Sequence, residues 1–111
     1  MAELTLAELF PGATQTSSTI TIPKSALPTL TAMAENRAEG ILAAIVIRAN
    51  TVFTTTARET DPDRSITVER DTPRIDRVFS TTGAETNYLV RTLNVNFYEP
   101  FVDTPWDADN Y

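Results

Sequence analysis

Residues 36–56, NRAEGILAAIVIRANTVFTTT, hold the longest apolar run in the chain, and their spacing predicts its one long helix. Asn36 is placed to cap it, and Glu39, three residues on, to reach back in the manner of a capping box. Ala38, Ile41, Leu42, Ile45, Ala49, Val52, Phe53 and Thr56 recur at intervals of three and four, which places them on one stripe. Ala43, Ala44, Val46 and Ile47 carry the apolar surface past that stripe. A helix on a monomer's surface keeps its outer side polar, so this one is expected to be covered on two sides. Gly40 falls in its first turn, where it costs about 1 kcal/mol relative to Ala and leaves room for a close neighbour.

Before the helix, residues 1–18 read as an N-terminal arm. Thr5 caps a short turn whose apolar side is Leu6, Leu9 and Phe10, ended by Pro11-Gly12. So short a helix needs a surface to dock on, in its own core or on a neighbouring subunit. Residues 13–18 read as a polar linker. Thr19–Ile22 reads as a short strand closed by Pro23, and Pro23–Pro28 as a turn.

After the helix, Asp61-Pro62 is a stop signal, and strands follow. Ser65–Asp71 alternates with Ile66 and Val68 on one side. Arg74–Ser80 has a mixed pattern that fits a bulged strand, and Gly83 supplies the positive φ of a hairpin loop. In Glu85–Glu99 the side chains of Leu89, Arg91, Leu93, Val95 and Phe97 face one way, as the expected lining of the helix. Tyr88 and Tyr98 face the other way among Thr and Asn, on a half-wet surface. Fifteen residues of strand span roughly 50 Å, so either a bend divides this segment or part of it leaves the domain. Residues 100–111 form an acidic, aromatic tail with Phe101, Trp106 and Tyr111. The expected architecture is α+β, a single domain over residues 1–111 with a core at 19–99. In it, one long helix packs on a small antiparallel sheet, with extended N- and C-terminal arms.

Composition narrows the chemistry. With 111 residues the chain fits one domain, and nine basic against fifteen acidic side chains give a net charge of −6. Neither nucleic acid nor an anionic membrane suits that balance. Cysteine and histidine are absent, which excludes disulfides, thiolate nucleophiles, imidazole metal sites and histidine acid–base catalysis. No charged-then-apolar leader opens the chain and no apolar run nears the ~20 residues that span a bilayer, so a soluble protein is expected. Nineteen threonines, and eight arginines beside the single Lys24, suit half-exposed contact surfaces. Asp61 with Asp63, and Asp103, Asp107 and Asp109, match no calcium-loop spacing and read as solvated turns. Arg64, Arg70, Arg74 and Arg77 interleave with acids, as cross-strand ion pairs or as forks for a neighbour's carboxylates. Lys24-Ser25 is no catalytic arrangement, and the three glycines are too scattered to cradle phosphate. No enzyme, cofactor, metal or small-molecule substrate is expected.

The phrases LAELFPGATQTSSTITIPKSALP, NRAEGILAAIVIRA and TLNVNFYEP resemble small proteins of cyanobacterial phages and prophage-like clusters, encoded among structural genes, tail genes above all. The resemblance covers most of the chain through general texture and carries no catalytic residue. It implies a non-enzymatic structural subunit of a virion, assembled in the host cytoplasm, in the tail, baseplate or fibre-attachment region, with homo-oligomeric and other phage structural partners. A capsid decoration protein, or a cellular binding module using the acidic aromatic tail, are the alternatives. The candidate interface residues are Val46, Ile47, Tyr88, Tyr98, Phe101, Trp106 and Tyr111.

Overall fold

The apolar run does form a helix, but a shorter one than its spacing predicts. The computed structural model describes residues 4–62, 64–99 and 105–111, so the expectations for Asp63, Phe101 and Asp103 lie outside the described residues. Helix α1 spans Leu6–Leu9, α2 spans Ala38–Val52 and α3 spans Thr55–Thr60. The expected single helix over 36–56 is thus two helices broken at Phe53-Thr54. The hydroxyl of Thr54 accepts the Ala57 N–H at 3.0 Å and so starts α3 as an N-cap. Thr5 caps α1 in the same way, accepting from the Glu8 N–H. The capping box at Asn36 does not form. Arg37 is the N-cap residue without a side-chain bond, while Asn36 turns back to accept the Met33 N–H and donate to the Thr31 carbonyl.

Packing of α2 also differs from the expectation. Its buried centre is Ala44, 2 % exposed, clustered with Phe10, Ala13, Ala26 and Leu27, with Ile41 and Ile45 packed alongside. The stripe is 41/44/45/48, rotated from the predicted one, and Leu42 is left 61 % exposed. Two features explain the rotation. Small Ala44 lets the N-terminal segment approach closely, and Arg48 reaches across to the end of α1. Its Nε donates to the Leu9 carbonyl at 2.6 Å and its Nη2 to the Glu8 carbonyl at 3.2 Å, the carbonyls a short helix leaves without partners. Residues 4–30 therefore pack on α2 through Phe10, Ala13, Ala26 and Leu27, so the described part of the arm expected over 1–18 is docked on its own core, while residues 14–21 stay exposed. Within residues 4–30, β1 (Thr14–Gln15) and β2 (Ile20–Thr21) pair antiparallel, and Lys24–Ala26 makes a 3-10 turn. Buried Ala13 overturns the reading of 13–18 as a bare linker. Gly12 sits at φ 86°, and a Cβ there would lie 3.1 Å from Pro23, so the turn that returns the chain across α2 needs glycine twice over.

The second half is one long antiparallel ribbon in two parts. Strand β3 (Ile66–Arg70) pairs with β6 (Leu93–Phe97), from Ile66 opposite Phe97 to Arg70 opposite Leu93. Strand β4 (Arg74–Phe79) pairs with β5 (Glu85–Val90), from Arg74 opposite Val90 to Phe79 opposite Glu85. The first part packs against the helices through β3. The free edge of β3 meets the end of α2, where the Val68 N–H donates to the Phe53 carbonyl at 2.7 Å and the Asn50 side chain donates to the Val68 carbonyl at 3.0 Å. That contact ties down the outer edge of β3. The fold is mixed α+β with antiparallel pairing. The helix does not rest on Leu89, Leu93, Val95 and Phe97 as a sheet lining, because Leu89 stands on the projecting hairpin and Val95 and Phe97 are exposed.

Candidate functional site

Between the two parts of the ribbon the chain gains one residue on one strand only. Asp71, Thr72 and Pro73 connect β3 to β4, while Arg91 and Thr92 connect β5 to β6. The Asp71 N–H still donates to the Thr92 carbonyl at 2.9 Å, and Pro73, which has no N–H to offer a ladder, falls in the unpaired step. This is a β-bulge, and it shifts the register by one residue. Ile75 comes opposite Leu89, so those two side chains share a face, with Arg77, Asn87 and Glu85 further along it, while Val78, Tyr88 and Val90 take the other face. Phe79 lies further along that face, and by alternation Leu89 continues the side of Leu93, Val95 and Phe97.

The hairpin β4–β5 projects from the body with almost every residue exposed. Ile75 is 68 % and Phe79 65 % exposed, and Leu89 is exposed on the same face. Its charges are matched internally: Arg77 pairs with Glu85 at 3.3 Å across the strands, and Arg74 with Asp76 at 3.2 Å. Pairs this exposed add little stability, but they leave the hairpin electrically neutral. The Gly83 N–H closes its loop on the Ser80 carbonyl, with Gly83 at φ 84° as its position demands.

At the hairpin's root a groove of about 660 Å³ runs between the uncovered side of α2 and the bulge. Leu42, Ala43, Val46 and Ile47 form one wall, Pro73 and Leu93 the other, with Glu39, Arg70, Asp71 and Arg91 at the rim. Thr29 also lines it, held at φ 64°, a backbone state costing on the order of 1–3 kcal/mol for a β-branched residue.

The expected interface residues are dispersed over this framework. Val46 and Ile47 are together in the groove, half-buried. Tyr88 lies on the hairpin, opposite Asp76 and so on the face away from Ile75 and Leu89. Tyr98 belongs to the body, with the Arg58 guanidinium stacked 3.8 Å above its ring and its hydroxyl 3.4 Å from that of buried Thr67. Trp106 and Tyr111 both stand edge-on to Phe97, ring centres 5.2 Å away. The Tyr111 hydroxyl donates to Glu99 at 2.9 Å, so the described part of the tail returns to its own strand. Burial first, then the hydrogen bond and negative charge of Glu99, push the Tyr111 phenol above its ordinary value. Trp106 nevertheless stays 72 % exposed.

Leu42, Ile75, Phe79 and Leu89 were not among the expected site residues. The signal for the hairpin pair was the bulge, since only a one-residue shift sets Ile75 opposite Leu89. Of the arginine cluster, Arg74 and Arg77 pair within the hairpin, Arg64 lies 4.0 Å from buried Asp61 and Arg70 reaches Asn50. Among the described residues no group of three acidic side chains is gathered as a metal site, and no helix is long and apolar enough to cross a membrane. No protein-family model, curated protein or solved structure matches the chain.

Proposed function

We propose that this chain is a non-enzymatic structural subunit of a phage particle, in the tail, baseplate or fibre-attachment region, and that it acts through protein–protein interfaces. The observation that carries the reading is the hairpin: a two-stranded finger with large apolar side chains in water and no further strand on either edge among the described residues. Isolated two-stranded hairpins are marginal in water, and an apolar face of this kind marks an interaction surface. Self-matched charges and a neutral finger suit docking on protein. The phage setting is drawn from the sequence resemblance. The tail is a weaker candidate for the binding element, because Trp106 and Tyr111 already lean on Phe97.

The reading is tested on particles purified from a host carrying the gene. Mass spectrometry should find the chain in a fixed ratio to tail proteins, and a gene lacking codons 74–90 should yield particles that stall in tail assembly. Finding it only in tailless heads would move it to the capsid as a decoration protein. Its absence from particles would end the proposal.

A further inference from the structure

We infer that the groove beside α2 is the seat for the β4–β5 hairpin of a second copy of this chain, each copy's finger lying over the other's groove about a two-fold axis. The inference rests on the reading of the chain as an assembly subunit and adds the identity of the first partner.

Four observations select that occupant. First, the chain's own described segments are already placed elsewhere. Residues 4–30 cover the Ala44 side of α2 and residues 105–111 meet Phe97. Its own hairpin leaves from the groove's wall at Pro73 and Arg91 and, at about 3.3 Å per residue over six-residue strands, carries Phe79 roughly 20 Å from the root.

Second, finger and groove match in kind. Ile75, Phe79 and Leu89 share one face of the finger with the Arg77–Glu85 pair, and the groove sets Leu42, Val46 and Leu93 inside a rim of Glu39, Arg70, Asp71 and Arg91. Third, the charges permit it. Arg74, Asp76, Arg77 and Glu85 cancel, so all six net negative charges of the chain lie outside residues 74–90. A neutral finger meets no net repulsion at a groove rim where Glu39 and Asp71 balance Arg70 and Arg91.

Fourth, the chain has surface to give up. It exposes 8677 Å² where a compact monomer of 12.2 kDa exposes about 6,100 Å², and a standard interface takes roughly 800 Å² per partner. A two-fold pair uses the same two patches on both copies and closes on itself.

Sedimentation of the full chain at micromolar concentrations tests this with two variants, Phe79→Glu on the finger and Leu42→Lys in the groove. Both side chains are exposed in the single chain, so each variant should keep the wild-type circular dichroism. Wild type should sediment as a dimer. Each variant alone should be weakened about a hundredfold, since a charge is then buried against apolar walls. An equal mixture of the two should dimerise again. It restores one unaltered finger–groove contact and sets the introduced carboxylate against the introduced ammonium in the other. A monomeric wild type overturns the inference, even if the chain is present in particles and the proposed function stands. So does a Leu42→Lys variant that dimerises normally, as fingers pairing edge to edge would give, or a mixture that stays monomeric.

Discussion

Arg48 is the residue on which the N-terminal half depends. Its two hydrogen bonds to the Leu9 and Glu8 carbonyls join α2 to a helix of only four residues, too short to persist alone. Arg48→Met keeps the aliphatic stem and removes both bonds. It should lower stability by about 1.5–3 kcal/mol, the usual worth of hydrogen bonds to a charged group, read as a lower urea midpoint. Arg48→Lys should recover only part of this, because an ammonium lacks the planar fork that spans two carbonyls. Residues whose partners are local were legible in the sequence: Thr5 caps α1 three residues on, and Gly83 takes the positive φ its loop needs. Residues whose partners are distant were not. Nothing in the sequence near Asn50 or Arg48 indicates that one braces a strand edge and the other a helix end. Asn36 misled because its side chain had two local options, and the loop at Thr31–Met33 won over the helix.

At the scale of elements, a helix, the strands and the hairpin were readable from period, turn residues and length, whereas the bulge expected inside Arg74–Ser80 falls before it, at Asp71–Pro73, and 74–79 pairs without interruption. The face on which α2 packs was not. A helix apolar nearly all round carries no clear directional signal, so its orientation followed from Ala44 and Arg48. The extreme length of Glu85–Glu99 foretold a divided strand, and division and projection both occur, at Arg91-Thr92. The tail element gives a pH test. The Tyr111 phenol is raised above its ordinary 10.0, so the folded chain holds that proton more tightly than the unfolded one. The tail's contribution is then complete below pH 10.0 and lost as pH climbs through the raised value. Phenolate absorbance should appear at lower pH in Glu99→Gln than in wild type, with part of the shift remaining from burial. An unchanged titration would remove Glu99 from the account.

The whole molecule measures 56 × 38 × 27 Å with a radius of gyration of 17.7 Å, against about 13 Å for a compact domain of this length. It has a small core built from the N-terminal segment and α2, a ribbon anchored at one end, and a finger that buries nothing of its own. That division explains why composition suggested one ordinary domain while the strands looked too long for it. Apolar residues sufficient for a core are present, but the share on the finger and groove is not spent inside the chain.

Amide hydrogen exchange over residues 74–90, at low and at high protein concentration, tests this most directly. The Ser80 N–H bonds to the Ala84 carbonyl, so by alternation the amides of Ile75, Arg77, Phe79, Glu85, Asn87 and Leu89 point away from the ladder. The account predicts fast exchange across the finger in dilute solution and marked slowing as copies associate, with the amides of α2 protected in both. A finger already protected in the dilute monomer, or one equally open at every concentration and in assembled particles, would contradict it.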